Sequence, residues 1–108
     1  MKKQLFRQGD VMIERVDAIP AGAKEVARDK GDVILAYGEV TGHAHRISDP
    51  GVCLLSCGEG AERYLTVAGE AFLTHEEHAT IPLGPGTYSV SIQREYDWES
   101  EATRNVAD

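Results

Sequence analysis

Short apolar runs alternate with clusters of turn formers along the whole 108-residue chain. The turn formers recur at Gly9-Asp10, Pro20-Ala21-Gly22, Asp29-Lys30-Gly31-Asp32, Ser48-Asp49-Pro50-Gly51, Gly58-Glu59-Gly60, Gly69 and Gly84-Pro85-Gly86. The segments between them are mostly too short for helices and are rich in Val, Ile, Leu, Tyr and Thr, residues that suit a pleated, half-buried surface. This pattern predicts strands at about Val11 to Val16, Glu25 to Arg28, Val33 to Tyr37, His45 to Ser48, Val52 to Cys57, Arg63 to Val67, Ala71 to Thr74, Ala79 to Leu83 and Thr87 to Tyr96. The last has the cleanest alternation: Tyr88, Val90 and Ile92 share one face, and Thr87, Ser89 and Ser91 share the other, as expected when one face meets a core and the other meets water. The same parity places Arg94 and Tyr96 inward, where the strand would leave the core. VILAY and VCLL are apolar on both parities and read as strands covered on both faces. Leu83-Gly84-Pro85-Gly86 reads as a tight turn closing a hairpin between the last two strands. The expected fold is an all-β, small single-domain barrel or sandwich.

Length and composition narrow the possibilities. A chain of this size supports one core, so residues 1–108 are expected to form one domain, with 97–108 a loose polar tail or a short helical cap anchored by Trp98. The chain is 42% hydrophobic and 27% charged, enough apolar content for a folded core. Eighteen acidic against eleven basic residues give a formal charge of −7, which disfavours nucleic acid and anionic lipid as partners. At the N-terminus Gln8, Gly9 and Asp10 interrupt MKKQLFRQGD before any apolar stretch forms, so neither a signal peptide nor a membrane span is expected and the cytoplasm is the expected compartment. No internal repeat, phosphate-binding glycine loop or nucleophile elbow is present.

The four histidines fall in two short clusters, His43-Ala44-His45 and His75-Glu76-Glu77-His78. Alternate residues on a strand point to one face about 6.6 Å apart along the backbone, so His43 and His45 can reach a single ion at bonds of about 2.1 Å. The pair His75 and His78 suits chelation on a helical turn or bend, with Glu76 or Glu77 as an oxygen ligand. Together the clusters could hold a divalent metal such as zinc, iron, nickel or manganese. Against this, neither spacing is specific alone, HEEH is not the longer HExxH of metalloproteases, and histidines beside Gly42 or in an acidic turn can order loops without a metal. Cys53 and Cys57 lie about 13 Å apart along one strand, too far for a mutual disulfide, and are expected to be small buried residues, which disfavours a cysteine–histidine dyad. Glu39, Glu70, Glu76, Glu77 and Glu95 supply carboxylates for acid–base chemistry, with nothing in the sequence to prefer one.

GEVTGHAHRI, HEEHATIPLGPGTY and QREY resemble a group of small uncharacterised bacterial and phage-associated proteins that share a GDV start, a TGHAH or TGHHH core and a terminal RQREY-like strand. The resemblance runs from Gly9 to about Tyr96 and implies no established activity. The chain is also similar, more weakly, to the cupins, whose HxH motif is followed by a carboxylate. His43 and His45 match the pair, and Asp49 stands where cupins usually have glutamate. The second cupin motif is not reproduced, because His75 and His78 precede the Pro82-Leu83-Gly84 turn. Two functional expectations follow: a metal-binding small β-barrel using His43, His45, His75 and His78, or a metal-free accessory module contacting a partner protein. A short all-β chain must close, cover or pair its sheet edges, so a homodimer is expected.

Overall fold

The computed structural model describes residues 4–38, 40–57 and 62–92. These residues are all-β, with ten strands: β1 (Leu5–Gln8), β2 (Val11–Val16), β3 (Lys24–Val26), β4 (Val33–Tyr37), β5 (Ala44–Ile47), β6 (Val52–Cys57), β7 (Glu62–Val67), β8 (Ala71–Leu73), β9 (Ile81–Leu83) and β10 (Gly86–Ile92). The expected segments recur with boundary shifts of a few residues, and β1 is an addition. Its sequence, LFRQ, is too short and polar to show a period. β1 exists because β2 supplies a partner across the two-residue turn Gly9-Asp10, in the register Gln8↔Val11. Gly9 has φ +60° and Asp10 does not share the positive sign, the arrangement of a II′ hairpin turn, whose first central position favours glycine.

The strands form two layers. Six make an antiparallel sheet in the order β1-β2-β10-β7-β6-β3. The second layer joins the pairs β4-β5 and β8-β9 through a bridge between Arg46 and Thr74, whose backbone groups exchange hydrogen bonds of 3.0 and 2.9 Å. The sheets are open, so the sandwich expectation holds and a closed barrel does not. Val11, Ile13, Leu54, Leu65, Tyr88 and Val90 from the first layer meet Val33, Leu35, Ile47, Leu73 and Leu83 from the second.

Several finer expectations need correction. Tyr88 and Val90 do face the core, but β10 pairs with β2 and β7, whereas β9 pairs with β8. The segment Gly84-Pro85 therefore carries the chain between layers and closes no hairpin. A turn motif specifies a local bend, and sheet partnership is decided by which strands can bury a face together. VILAY and VCLL are buried mainly on one parity, Val33 with Leu35 and Val52 with Leu54. Cys53 and Cys57 fall on the other parity of β6 and are free and half-buried. Arg94, Tyr96, Trp98 and the 97–108 tail lie outside the described residues. Among the described residues no helix is long and apolar enough to cross a membrane.

The face assignment is checked by paired truncations. Leu65→Ala, at a fully buried position, should cost about 2–5 kcal/mol in urea unfolding. Cys53→Ala, on the opposite face of the neighbouring strand, should cost less than about 1 kcal/mol.

Candidate metal centre

Both histidine clusters open onto one pocket of about 330 Å³, lined by all four imidazoles together with Asp10 and Glu77. His43 precedes β5 and His45 lies within it, while His75 and His78 sit on the connection between β8 and β9. His75 is central: its ring centroid is 4.3 Å from His45, 4.7 Å from His78 and 5.8 Å from His43. Among the described residues, His43, His75 and Glu76 form a donor set whose ligand atoms lie within 4.8 Å of one another. Donors in a tetrahedral site with bonds of about 2.1 Å stand about 3.4 Å apart, so closure on an ion needs side-chain shifts of about 1 Å.

Three sets of contacts bring these distant segments together. On one side the Arg46–Thr74 bridge ties the 74–79 connection to β5, and Thr74 Oγ1 adds a hydrogen bond to Arg46 O at 3.2 Å. Glu76 then reaches back: Oε2 accepts from Arg46 Nη1 at 2.7 Å and Oε1 accepts from the Ala44 amide at 3.0 Å. These bonds hold the Glu76 carboxyl well below the usual carboxylate range, at about 2, with Arg46 the larger cause and the Ala44 amide second. A carboxylate with two partners retains free lone pairs.

On the other side stands Gln8, at the end of β1. Gln8 and His45 are the buried polar side chains among the described residues, and they are bonded to each other. Gln8 Nε2 donates to Leu73 O at 3.1 Å and Ala79 O at 2.9 Å, the carbonyls that flank the 74–78 segment. Its Oε1 faces His45 Nδ1 at 2.7 Å. Next to it, a Cβ on Gly9 would lie 2.9 Å from His78 Nε2 and 3.3 Å from His45 Cε1, so the II′ turn also keeps space open for the rings. Two weaker contacts complete the arrangement. The Glu77 amide donates to His75 Nδ1 at 3.0 Å, and His43 Nδ1 lies 3.5 Å from Glu77 Oε2.

The four predicted histidines thus share one pocket, and Glu76 and Glu77 accompany them. Asp49, the carboxylate suggested by the cupin likeness, is used elsewhere: its Oδ2 accepts from the Phe72 amide at 2.9 Å. Glu39 and Glu95 lie outside the described residues. Gln8, Gly9 and Arg46 were missed as contributors. A single glutamine before a turn carries no sequence signal for burial, whereas the Gly9-Asp10 turn itself was legible.

The architecture is an all-β sandwich with a histidine-lined pocket at the junction of its layers. Residues 7–93 match the family described as Domain of unknown function (DUF8820), and the chain belongs to that family. No curated protein and no solved structure matches it.

Two outcomes test this geometry. Burial, followed by the neighbouring His75 and His78, lowers the His45 pKa from 6.5 to about 4. Between those values the unfolded chain binds a proton that the folded protein resists, so stability should fall as pH drops from about 6.5 towards 4 and should not depend on His45 above that window. Urea unfolding of the wild type and His45→Gln at several pH values checks this, the variant showing the shallower slope. Gly9→Ala combines a positive-φ penalty with the approach to His78 and should cost about 1–3 kcal/mol.

Proposed function

We propose that this protein binds a divalent first-row metal ion in the pocket, with His43, His45, His75 and His78 as the nitrogen donor pool and Glu76 as the nearest oxygen donor. The observation that carries the proposal is that every histidine of the chain, from two clusters about thirty residues apart in sequence, lines one pocket. Solvent-facing loop histidines have no reason to gather in this way, since protonation of one disfavours protonation of the next. Asp10 and Glu77 on the pocket wall favour a cation as the occupant. Imidazole donors suit zinc, nickel or iron, a carboxylate beside them also admits manganese, and magnesium and calcium, which prefer all-oxygen sites, are poor partners. His75 would be the donor that rearranges most, because its Nδ1 accepts from the Glu77 amide and its proton therefore resides on Nε2 in the neutral ring.

A second reading has its own support. His45, His75 and His43 each have a protein partner at hydrogen-bond or ion-pair distance, which is how histidines that only order loops would be arranged in a metal-free accessory module.

Thermal unfolding with and without metal separates the two. Zinc or nickel at about 100 times its Kd should add about 2.7 kcal/mol and raise Tm by roughly 10 °C, and chelator should reverse the gain. His43→Ala combined with His75→Ala should abolish the response. Equal melting of the wild type in metal and in chelator, with no metal retained in elemental analysis, would refute metal binding and leave the accessory module. Uptake should weaken as pH is lowered, as protons compete for the imidazole lone pairs.

A further inference from the structure

We infer that Gln8 is the positioning residue of this centre: it selects Nε2 of His45 as the metal-binding atom and sets the spacing between the two histidine clusters. The inference rests on the proposed metal site for its functional part, but its structural part stands on Gln8 alone.

The argument begins with the donor inventory of a buried amide. A glutamine side chain has two N–H donors and one carbonyl acceptor, and its orientation is decided by its surroundings. Here two neighbours, Leu73 O and Ala79 O, are backbone carbonyls and can only accept. They fix the NH₂ group on their side, because the flipped amide would set its oxygen against both. Oε1 is then forced towards His45, and a carbonyl oxygen can only accept. The 2.7 Å contact therefore requires a proton on His45 Nδ1. A neutral imidazole with its proton on Nδ1 has its lone pair on Nε2. At 2% exposure Gln8 has little water to offer its partners as a substitute, so each of the three bonds constrains the others.

The second consequence is geometric. Leu73 and Ala79 bracket the segment that carries His75 and His78, and His45 belongs to the other cluster. One amide thus joins both ends of one ligand-bearing segment to a ligand of the other. Histidine ligands are commonly oriented by an acceptor at the second ring nitrogen, and loss of such a partner typically weakens metal binding tenfold to a hundredfold. Here the acceptor is a neutral amide, which leaves the charge of the centre to Asp10, Glu76 and Glu77.

The experiment compares the wild-type protein with Gln8→Met and Gln8→Glu. Met approximates the size and removes the acceptor and both donors, whereas Glu retains an acceptor for His45 and loses the donors to Leu73 and Ala79. In the metal-free wild type, long-range ¹H–¹⁵N correlation should show His45 as the Nδ1-protonated tautomer. A proton on Nε2 overturns the inference whether or not metal binds. Titration with zinc chloride should show affinity tenfold to a hundredfold lower in Gln8→Met than in the wild type, with Gln8→Glu between the two, because it keeps the acceptor for His45 but loses the donors to Leu73 and Ala79. Equal affinity of the wild type and Gln8→Met overturns the positioning role alone and leaves the metal site intact. A wild type that binds neither zinc nor nickel overturns that role together with the proposed function, although the tautomer result still stands. A purely structural glutamine would lower Tm in both variants without this ordered recovery of affinity, and that pattern also overturns the inference. Should Gln8→Met fail to fold, the wild-type tautomer and the Gln8→Glu affinity decide.

Discussion

The hydrogen bond between Gln8 and His45 is the constraint around which the pocket is organised. Burying polar side chains is costly unless their hydrogen-bonding groups are satisfied, and here His45 Nδ1 donates to Gln8 Oε1 while Gln8 uses its two amide donors on Leu73 and Ala79. The bond connects the end of an edge strand in the six-stranded sheet to the middle of β5 and to both ends of the β8–β9 connection. Without it the two layers would still share an apolar core, and the Arg46–Thr74 bridge and the Glu76 contacts would still join the two segments on the exposed side, but the buried side of the pocket would lose the contact that fixes His45 against the 74–78 segment.

Electrostatics at the site divides between its two sides. On the exposed side Arg46 binds Glu76 and lies 3.6 Å from Asp32, a charged arrangement that salt and solvent weaken. On the buried side the bond from His45 to Gln8 is neutral and shielded, and burial keeps the imidazole uncharged over the physiological range. The contrast would suit the proposed cation: the His45 lone pair is kept free of a proton where the protein is dry, and negative charge stands at the rim in Asp10 and Glu77. In the metal-free alternative the same arrangement would simply order the 74–78 segment.

Sequence periodicity carried most of the fold. Val11 to Val16, Val33 to Tyr37 and Val52 to Cys57 coincide with β2, β4 and β6 because a half-buried strand writes its alternation directly into the chain. The same logic failed where the information was not local. β1 has almost no apolar period and exists through its pairing with β2. The turn at Gly84-Pro85 is real, yet β9 and β10 part company because each finds its partner in a different layer. Cys53 was expected to be buried because an apolar run was read as covered on both faces, whereas only the Val52 and Leu54 parity faces the core.

For the site, the sequence by itself determined which residue types were present and how each pair was spaced: HxH on one segment, HxxH with two glutamates on another, and a glycine turn at Gly9-Asp10. It could not determine that the two pairs meet, since that depends on the Arg46–Thr74 bridge between strands far apart in the chain. Nor could it identify Gln8, whose importance comes from three partners that are distant in sequence and adjacent only once the layers have packed. Local spacing is a property of the covalent chain, whereas the tautomer of a buried imidazole is set by whichever acceptor the fold brings to its second nitrogen. That choice belongs to the tertiary structure.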